Sequence, residues 1–231
     1  MTERKRRLVI AIDGPVGAGK STVARRLAEA LEYIYIDSGA MYRAIGWKAV
    51  QAGVDIRDHR RVAPLAAATE IRMVASPSGP RVLVDGQDVT KDLRTAAMDE
   101  ASSVVSTYPE VRERLVALQR EIARDGGIVM DGRDIGTTVF PHADVKFYLD
   151  ADLAVRAARR LEDLRKRGSV ADFDGVQADV LRRDARDRGR ETSPLVVAAD
   201  AVSIDSTSLT VEEILSQMLA VVRKVLQTDK S

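Results

Sequence analysis

The sequence contains no cysteine and only two histidines, His59 and His142. The missing thiols exclude disulfides, thiolate metal sites and a cysteine nucleophile, and two histidines do not build a zinc site by themselves. Aromatic residues are also sparse, at 4% of the 231 residues, so the core must depend on aliphatic side chains. Hydrophobic residues at 45% and charged residues at 31% are typical of a globular protein with a sizeable core.

Long apolar runs and a large net charge are lacking as well. The charged residues 1–7 are followed by the apolar run 8–12, which is too short for a secretory or membrane-spanning segment. We therefore expect a cytosolic protein that does not bind membranes. The net charge of +1 gives no electrostatic footprint for nucleic acid. Nothing in the sequence marks a large exposed apolar surface, so a monomer is expected.

Short apolar runs alternate with helical patterns along most of the chain, which predicts an α/β fold with a parallel sheet covered on both faces. Ligands of such sheets bind at the carboxyl ends of the strands. Residues 71–89 break the alternation, because two strand-like runs flank a turn at residues 76–80 and predict an inserted antiparallel excursion. The predicted core strands are 8–12, 33–36, 127–130, 145–149 and 202–204, the inserted strands are 71–74 and 82–84, and the helices include 22–31, 109–124, 153–167 and 211–226.

The segment after the first predicted strand has the form GxxxxGKS and opens a helix, which is the context that a phosphate-binding loop requires. Its backbone N–H groups surround phosphate oxygens, and glycine permits a close approach that a Cβ would prevent. Lys20 would reach the β and γ phosphates of ATP, and Ser21 would hold magnesium. The predicted ATP phosphate-binding residues are Gly14, Pro15, Val16, Gly17, Ala18, Gly19, Lys20, Ser21 and Thr22.

This loop alone does not identify a function. A glycine-rich turn can merely join a strand to a helix, and GTPases, ATPases and small-molecule kinases all share the phosphate loop. A guanine-reading Asn/Thr-Lys-x-Asp motif is not found, because the aspartate of Thr90-Lys91-Asp92 comes one residue early. The acceptor must therefore be inferred from other segments.

One such segment, residues 37–43, begins at the end of the second predicted strand and runs into a helix. Asp37 and Ser38 would face the same crevice as the phosphate loop, and Arg43 would clamp an anionic acceptor. The alternative is an ordinary helix cap by Ser38 with a solvated Arg43.

A second segment, residues 131–138, follows the strand predicted at 127–130. Asp131 at a strand end beside a phosphate loop can orient magnesium or its bound water. Arg133 offers a cation for a phosphate, and Asp134 offers a carboxylate that accepts from an exocyclic amine. The alternative is a turn stabilised by its own aspartate and glycine residues.

Ten arginines lie between Arg156 and Arg190. On a helix, Arg183 and Asp187 would share a face, as would Arg186 and Arg190, whose like charges repel unless an anion lies between them. A mobile arginine lid over the γ phosphate would neutralise charge in the transition state and exclude water. The alternative is a solvated charged helix in which Asp184 and Asp187 pair with arginines of the same helix.

Taken together, these residues resemble the bacterial cytidylate kinase family from Ile10 to about Thr207. The resemblance is carried by the phosphate loop, DSGAMYR at 37–43, PEVR at 109–112, DGRDIGT at 131–137, and RDARDRGR at 183–190 followed by Pro194-Leu195. It implies a three-layer α/β P-loop kinase fold with a five-stranded parallel sheet, an inserted antiparallel monophosphate-binding region and an arginine-rich helical lid. It also implies a single domain over residues 1–231, with a core at 1–37, 111–155 and 191–231, the monophosphate-binding region at 38–110 and the lid at 156–190.

The resemblance further implies the transfer of the γ-phosphoryl group of ATP to CMP and dCMP, with magnesium at Ser21 and Asp131, directly or through water. The implied roles are cytosine reading by Ser38, Ser103, Arg112 and Asp134, binding of the acceptor or transferring phosphate by Arg43, Arg133 and Arg190, and ribose contact by Arg183 and Asp187. The implied catalytic residues are Lys20, Arg133, Arg183 and Arg190. A kinase for UMP, AMP or a non-nucleotide acceptor stays open as an alternative, as does an ATP-dependent switch without an acceptor.

Overall fold

A computed structural model describes residues 7–74, 76 and 80–228 of the chain. In chain order the strands are β1 Val9–Asp13, β2 Ile34–Asp37, β3 Ile71–Val74, β4 Arg81–Val84, β5 Gln87–Asp88, β6 Ile128–Gly132, β7 Val145–Asp150 and β8 Val202–Asp205. The helices are α1 Lys20–Leu31, α2 Ser38–Gln51, α3 His59–Ala68, α4 Ala96–Val105, α5 Pro109–Ile122, α6 Leu153–Lys166, α7 Phe173–Arg188 and α8 Val211–Thr228. A π-helical turn, Ile135–Val139, follows β6. Among the described residues, none of the helices combines the length and the apolar composition that a membrane-spanning segment needs.

In the described residues, a parallel sheet of five strands has the order β2-β6-β1-β7-β8. The predicted α/β class and the five predicted core strands are therefore confirmed. Four of the strands run one residue further than predicted and end in an aspartate, because the backbone ladder continues whatever the side chain: Asp13, Asp37, Asp150 and Asp205. This extension places carboxylates along the edge of the sheet where parallel folds bind their ligands.

Aliphatic side chains fill both faces of the sheet, as the scarcity of aromatic residues required. On one face α1 and the predicted last helix, α8, pack on β1 and β7, and Met218 and Val222 are fully buried there. On the other face, Met130 of β6 packs with Val116 of α5 and Ile135 of the π-helical turn. The rigid sheet therefore fixes the carboxyl ends of β1, β2 and β6 relative to one another.

The antiparallel excursion predicted within residues 71–89 is confirmed as a sheet of order β3-β4-β5. Ile71 pairs with Val84, and the left-handed pair Asp85 and Gly86 turns the chain into β5, a short strand that the sequence did not reveal. Of the turn predicted at 76–80, residues 77–79 lie outside the described residues, as do residues 1–6 of the charged amino-terminal segment. Helices α3 and α4, also unpredicted, flank this sheet along the chain.

Candidate functional site

The phosphate loop joins β1 to α1 at the carboxyl edge of the parallel sheet. Glycine is required at its start, because a Cβ on Gly14 would lie 1.9 Å from the carbonyl oxygen of Leu149, and Gly14 has a φ of +147°. A Cβ on Gly17 would lie 2.5 Å from the carbonyl oxygen of Arg156, which belongs to α6. The loop is therefore packed tightly against β7 and α6, and its shape follows from the absence of these two side chains.

Lys20 begins α1 and is 5% exposed, with its Nζ donating to the carbonyl oxygen of Pro15 at 2.6 Å. Burial and the neighbouring Arg133 lower the pKa of Lys20 to about 7, while Asp131 and Asp187 act in the opposite direction. An anion at this loop would stabilise the charged ammonium, because opposite charge favours the ionised form. A phosphate at this loop would therefore offset part of the cost of burying the Lys20 charge.

Ser21 and Asp131, the two residues predicted to hold magnesium, are in direct contact. Ser21 Oγ donates to Asp131 Oδ2 at 2.8 Å, and the hydroxyl of Tyr35 donates to Asp131 Oδ1 at 2.8 Å. Burial and the charge of Asp37 raise the pKa of Asp131, so a cation would stabilise its charged form. Tyr35 was missed by the sequence analysis, although it lies two residues before Asp37 on β2 and therefore on the same face.

The described residues contain no cluster of three or more histidine, cysteine, aspartate or glutamate side chains that could hold a metal alone. This donor set fits magnesium, which binds through one or two protein oxygens and completes its shell with water and substrate phosphates. Ser21 and Asp131 supply two such oxygens beside the phosphate loop.

Asp13, the last residue of β1, links the phosphate loop to the segment that follows β6. Its two carboxylate oxygens accept from the backbone N–H groups of Ile135 at 2.8 Å and Gly136 at 2.7 Å. Burial raises the pKa of Asp13 to about 6. No pattern in the sequence signals this contact, because Asp13 and Ile135 are far apart in the chain. The carboxylate fixes the backbone immediately after Asp134.

The segment 37–43 forms the start of α2, and the alternative of a Ser38 cap with a solvated arginine is wrong. Asp37 caps the helix, accepting from Ala40 N at 3.0 Å, and Ser38 Oγ instead donates to the carbonyl oxygen of Asp131 at 2.7 Å. The side chain of Arg43 is only 18% exposed and pairs with Asp37 at 2.5 Å. Ser38 and Arg43 are thus held at the carboxyl edge of the sheet, Ser38 by the backbone of β6 and Arg43 by the last residue of β2.

Arg112 of α5 and Asp134 form a buried ion pair, with side chains 2% and 6% exposed. Arg112 also lies over the ring of Tyr42, with its guanidinium carbon 5.7 Å from the ring centre, and its Nε has no hydrogen-bond partner. Burial raises the pKa of Asp134, opposed by Arg112 and Arg190. The alternative of a turn stabilised only by its own residues is therefore wrong, because Asp134 is held from another helix.

Ser103 of α4 lies beside Arg186 of α7, for which the sequence predicts only a helix face shared with Arg190. Arg186 donates to Ser103 Oγ at 2.6 Å and pairs with Glu100 at 3.2 Å. The predicted stacking of Arg186 and Arg190 on one helix face is wrong, because α7 ends at Arg188 and glycine follows. Arg190 folds back instead, with its Nε donating to the carbonyl oxygen of Asp187 at 3.2 Å.

Asp187 contacts two of the arginines that are predicted to be catalytic, Arg133 and Arg190. It accepts from Arg133 Nε at 2.7 Å and lies 3.3 Å from Arg190 NH2. Although burial acts in the opposite direction, Arg133, Arg183 and Arg190 hold the pKa of Asp187 below its ordinary value. Burial and the charge of Arg133 lower the pKa of Arg183 to about 10. Several positive charges are therefore crowded around one carboxylate beside Lys20.

The solvated-helix alternative for α7 is wrong. Asp184 and Asp187 are 4% and 3% exposed, and the bond from Arg156 NH1 to Asp184 Oδ2, at 2.7 Å, comes from α6 rather than α7. Arg183 has a buried Nε without a partner. One face of α7 is thus turned inward, and its charges are arranged by contacts between elements.

The parallel sheet order, the phosphate loop after the first strand and the buried carboxylate on the neighbouring strand define the class of P-loop kinases. The sequence model of the family described as "Cytidylate kinase" matches residues 10–224. A protein named cytidylate kinase from Geobacillus kaustophilus strain HTA426 is 50% identical over 220 residues, covering 95% of this chain and 98% of that protein. Its namesake from Geobacillus thermodenitrificans strain NG80-2 is 49% identical over the same shares. The chain belongs to the cytidylate kinase family.

A solved structure agrees at the level of the fold. An uncharacterized protein from Eubacterium ventriosum ATCC 27560 superposes with a TM-score of 0.53 at 12% identity, covering 94% of this chain and 99% of that one. At this identity the likeness concerns the fold alone.

Proposed function

We propose that this protein transfers the γ-phosphoryl group of ATP to CMP, and also to dCMP, giving ADP and CDP or dCDP. The observation that carries the proposal is the convergence of Arg133, Arg183 and Arg190 on Asp187 beside the phosphate-loop Lys20. Two anionic substrates repel each other, and a group of buried cations beside a phosphate loop offsets that repulsion. Membership in the cytidylate kinase family supports CMP as the acceptor.

On the donor side, residues 14–22 bind the phosphates of ATP, with Lys20 directed at the β and γ phosphates. Ser21 and Asp131 hold magnesium, directly or through water, which when bound would neutralise charge on those phosphates. Tyr35 fixes the second oxygen of Asp131, so that the carboxylate keeps one orientation.

On the acceptor side, four residues read the cytosine, and Asp134 accepts from its exocyclic amine. Arg43, Arg133 and Arg190 hold the acceptor or transferring phosphate, and Arg183 and Asp187 contact the ribose. The four cytosine-reading residues are Ser38, Ser103, Arg112 and Asp134. The contacts of Ser103 with Arg186, and of Arg112 with Asp134, support this assignment because they join α4 to α7 and α5 to the segment after β6 through polar side chains.

The chemistry requires alignment and charge neutralisation more than a base. An oxygen of the CMP phosphate attacks the γ phosphorus as the bond to the β,γ-bridging oxygen breaks, and that oxygen leaves with ADP. The attacking phosphate is already ionised, so no proton need be removed, which agrees with a site built without histidine. Lys20, Arg133, Arg183 and Arg190 stabilise the charge on the transferring group.

In this scheme the chain works as a single domain with a core at 1–37, 111–155 and 191–231, a monophosphate-binding region at 38–110 and a lid at 156–190. The lid closes over the phosphates and excludes water that would otherwise hydrolyse ATP. A monomeric, cytosolic enzyme that does not act on nucleic acid is the accompanying proposal.

The test is whether ATP turnover requires a nucleoside monophosphate. ADP release would be followed with magnesium-ATP alone and after addition of CMP, and the products would be separated by chromatography. We expect ADP and CDP in equal amounts only when CMP is present. ADP release at the same rate without an acceptor would favour a switch and refute the proposal.

A further inference from the structure

Asp99 of α4 is surrounded by arginines from three other parts of the chain. Its Oδ2 lies 2.6 Å from Arg160 NH2 and 3.4 Å from Arg167 NH1, and its Oδ1 lies 3.7 Å from Arg43 NH1. The residue is 8% exposed. Although burial acts in the opposite direction, Arg160, Arg43 and Arg183 hold the pKa of Asp99 below its ordinary value. A single buried carboxylate thus balances part of a larger positive charge.

These contacts connect the two sides of the crevice. Arg43 starts from α2, where it is proposed to hold the acceptor phosphate, and Arg160 starts from α6 in the proposed lid. Asp99 and Arg160 also line a cavity of about 290 Å³ that reaches Arg183 and the phosphate-loop residue Val16. Asp99 therefore lies on the wall of a cavity that is lined by the proposed lid, the acceptor region and the phosphate loop.

We propose that Asp99 is a positioning residue, which holds the acceptor arginine Arg43 and the lid arginine Arg160 in register for phosphoryl transfer. This proposal rests on the proposed function, because it assigns Arg43 to an acceptor phosphate. Asp99 itself, as an anion, does not bind the phosphates. It orients Arg43, which is proposed to do so, and it reduces the positive charge available to any anion that enters the cavity.

The two effects of Asp99 predict opposite changes when its charge is removed. In Asp99→Asn the arginines lose their common partner, so kcat with CMP is expected to fall at least about tenfold, since small misplacements of positioning groups are costly. The cavity meanwhile loses one negative charge, so inorganic tripolyphosphate is expected to bind about threefold or more tightly. A residue with a merely structural role would not tighten the binding of an anion when it is replaced.

Glu100 provides the matched control. It is the next residue of α4, lines the same cavity and also pairs with a lid arginine, Arg186, at 3.2 Å, but its side chain is 50% exposed, so that water and salt screen its charge. Exposed pairs contribute little to stability or orientation. Glu100→Gln makes the same change of charge one residue away, and we expect less than about a twofold change in both kcat and tripolyphosphate binding.

The experiment measures kcat and KM for CMP by ADP release, and tripolyphosphate binding by calorimetry, for wild type, Asp99→Asn and Glu100→Gln, with folding checked by circular dichroism. A lower kcat with tighter tripolyphosphate binding in Asp99→Asn alone supports the proposal. An unchanged kcat, a parallel loss of kcat and tripolyphosphate binding, or equal effects of both variants would overturn it.

Should Asp99→Asn fail to fold, Arg160→Lys replaces it, since lysine keeps the charge but loses the planar fork. That variant is expected to lose kcat without a gain in tripolyphosphate affinity, and wild-type kcat would overturn the proposal. A failure of the proposed function can be distinguished from a failure of the Asp99 proposal, because the wild-type protein itself would then show no turnover of CMP. The calorimetric comparison of Asp99→Asn with Glu100→Gln would still decide whether Asp99 controls anion binding.

Discussion

Removal of the Asp134 carboxylate alone is expected to destabilise the fold strongly, because it leaves the Arg112 guanidinium buried without its partner. Arg112 is 2% exposed, its Nε already lacks a partner, and its remaining bond to the carbonyl oxygen of Ser106 is long at 3.4 Å. Breaking a buried ion pair from one side costs about 3–5 kcal/mol, a large part of the roughly 5–15 kcal/mol that stabilises a typical domain. Asp134→Ala should therefore unfold at a much lower urea concentration.

Removal of both charges should be less costly than the two single changes together. In Arg112→Met with Asp134→Ala no uncompensated charge remains, and we expect a coupling energy of about 2 kcal/mol in the double-mutant cycle. Urea unfolding followed by circular dichroism, with linear extrapolation to water, gives the four free energies of unfolding. The exposed pair of Glu162 and Lys166 on α6 is the control, and no measurable coupling is expected there.

The cycle also separates stability from recognition. If Asp134 reads the cytosine, Asp134→Ala lowers the CMP-to-UMP ratio of kcat/KM by about 5- to 150-fold, which corresponds to about 1 to 3 kcal/mol. The double variant, which has no uncompensated buried charge, is expected to show the same lowered ratio. If the two substitutions change the free energy of unfolding additively, the reasoning about the buried pair is refuted. A wild-type CMP-to-UMP ratio in both variants would show that Asp134 does not read the base.

Three further predictions concern neighbouring carboxylates. Asp131→Asn is expected to raise the magnesium concentration needed for half-maximal ADP release, and an unchanged requirement would remove Asp131 from the metal site. Asp187→Ala is expected to reduce kcat/KM for CMP more than for dCMP, whereas equal losses would remove the ribose assignment. The raised pKa of Asp13, about 6 against 3.8, means that the folded protein retains a proton that the unfolded chain has lost. Stability is therefore expected to decrease as pH rises from about 4 to 6, by about 3 kcal/mol for this group. Urea unfolding between pH 4 and 7 should show this decrease in wild type relative to Asp13→Asn, and a difference that does not vary with pH would contradict it.

The features that the sequence predicted well depend on short-range patterns. The phosphate loop, the five core strands and the inserted antiparallel strands are each marked by residue types within about ten positions of one another. The start of α2 shows the limit of such patterns, because Asp37 and Ser38 are both good capping residues and only the structure shows that Asp37 is the cap.

The features that were missed or wrong depend on contacts between distant segments. Asp13 fixes Ile135 across the sheet edge, and Asp99 gathers arginines from α2 and α6, although neither carboxylate belongs to a recognisable motif. The predicted face shared by Arg186 and Arg190 is wrong because it requires the helix to continue through Gly189, where the chain instead turns back. Charged side chains have long reach, so their partners follow from the packing of elements rather than from spacing along one helix.

The most direct test of the account is a comparison of kcat/KM for CMP, dCMP, UMP, AMP, GMP and shikimate with magnesium-ATP as donor, against a blank without acceptor. The account predicts that CMP and dCMP are the preferred acceptors and that the blank releases almost no ADP. A preference for another acceptor would contradict the assignment of the cytosine site while leaving the phosphate loop chemistry in place.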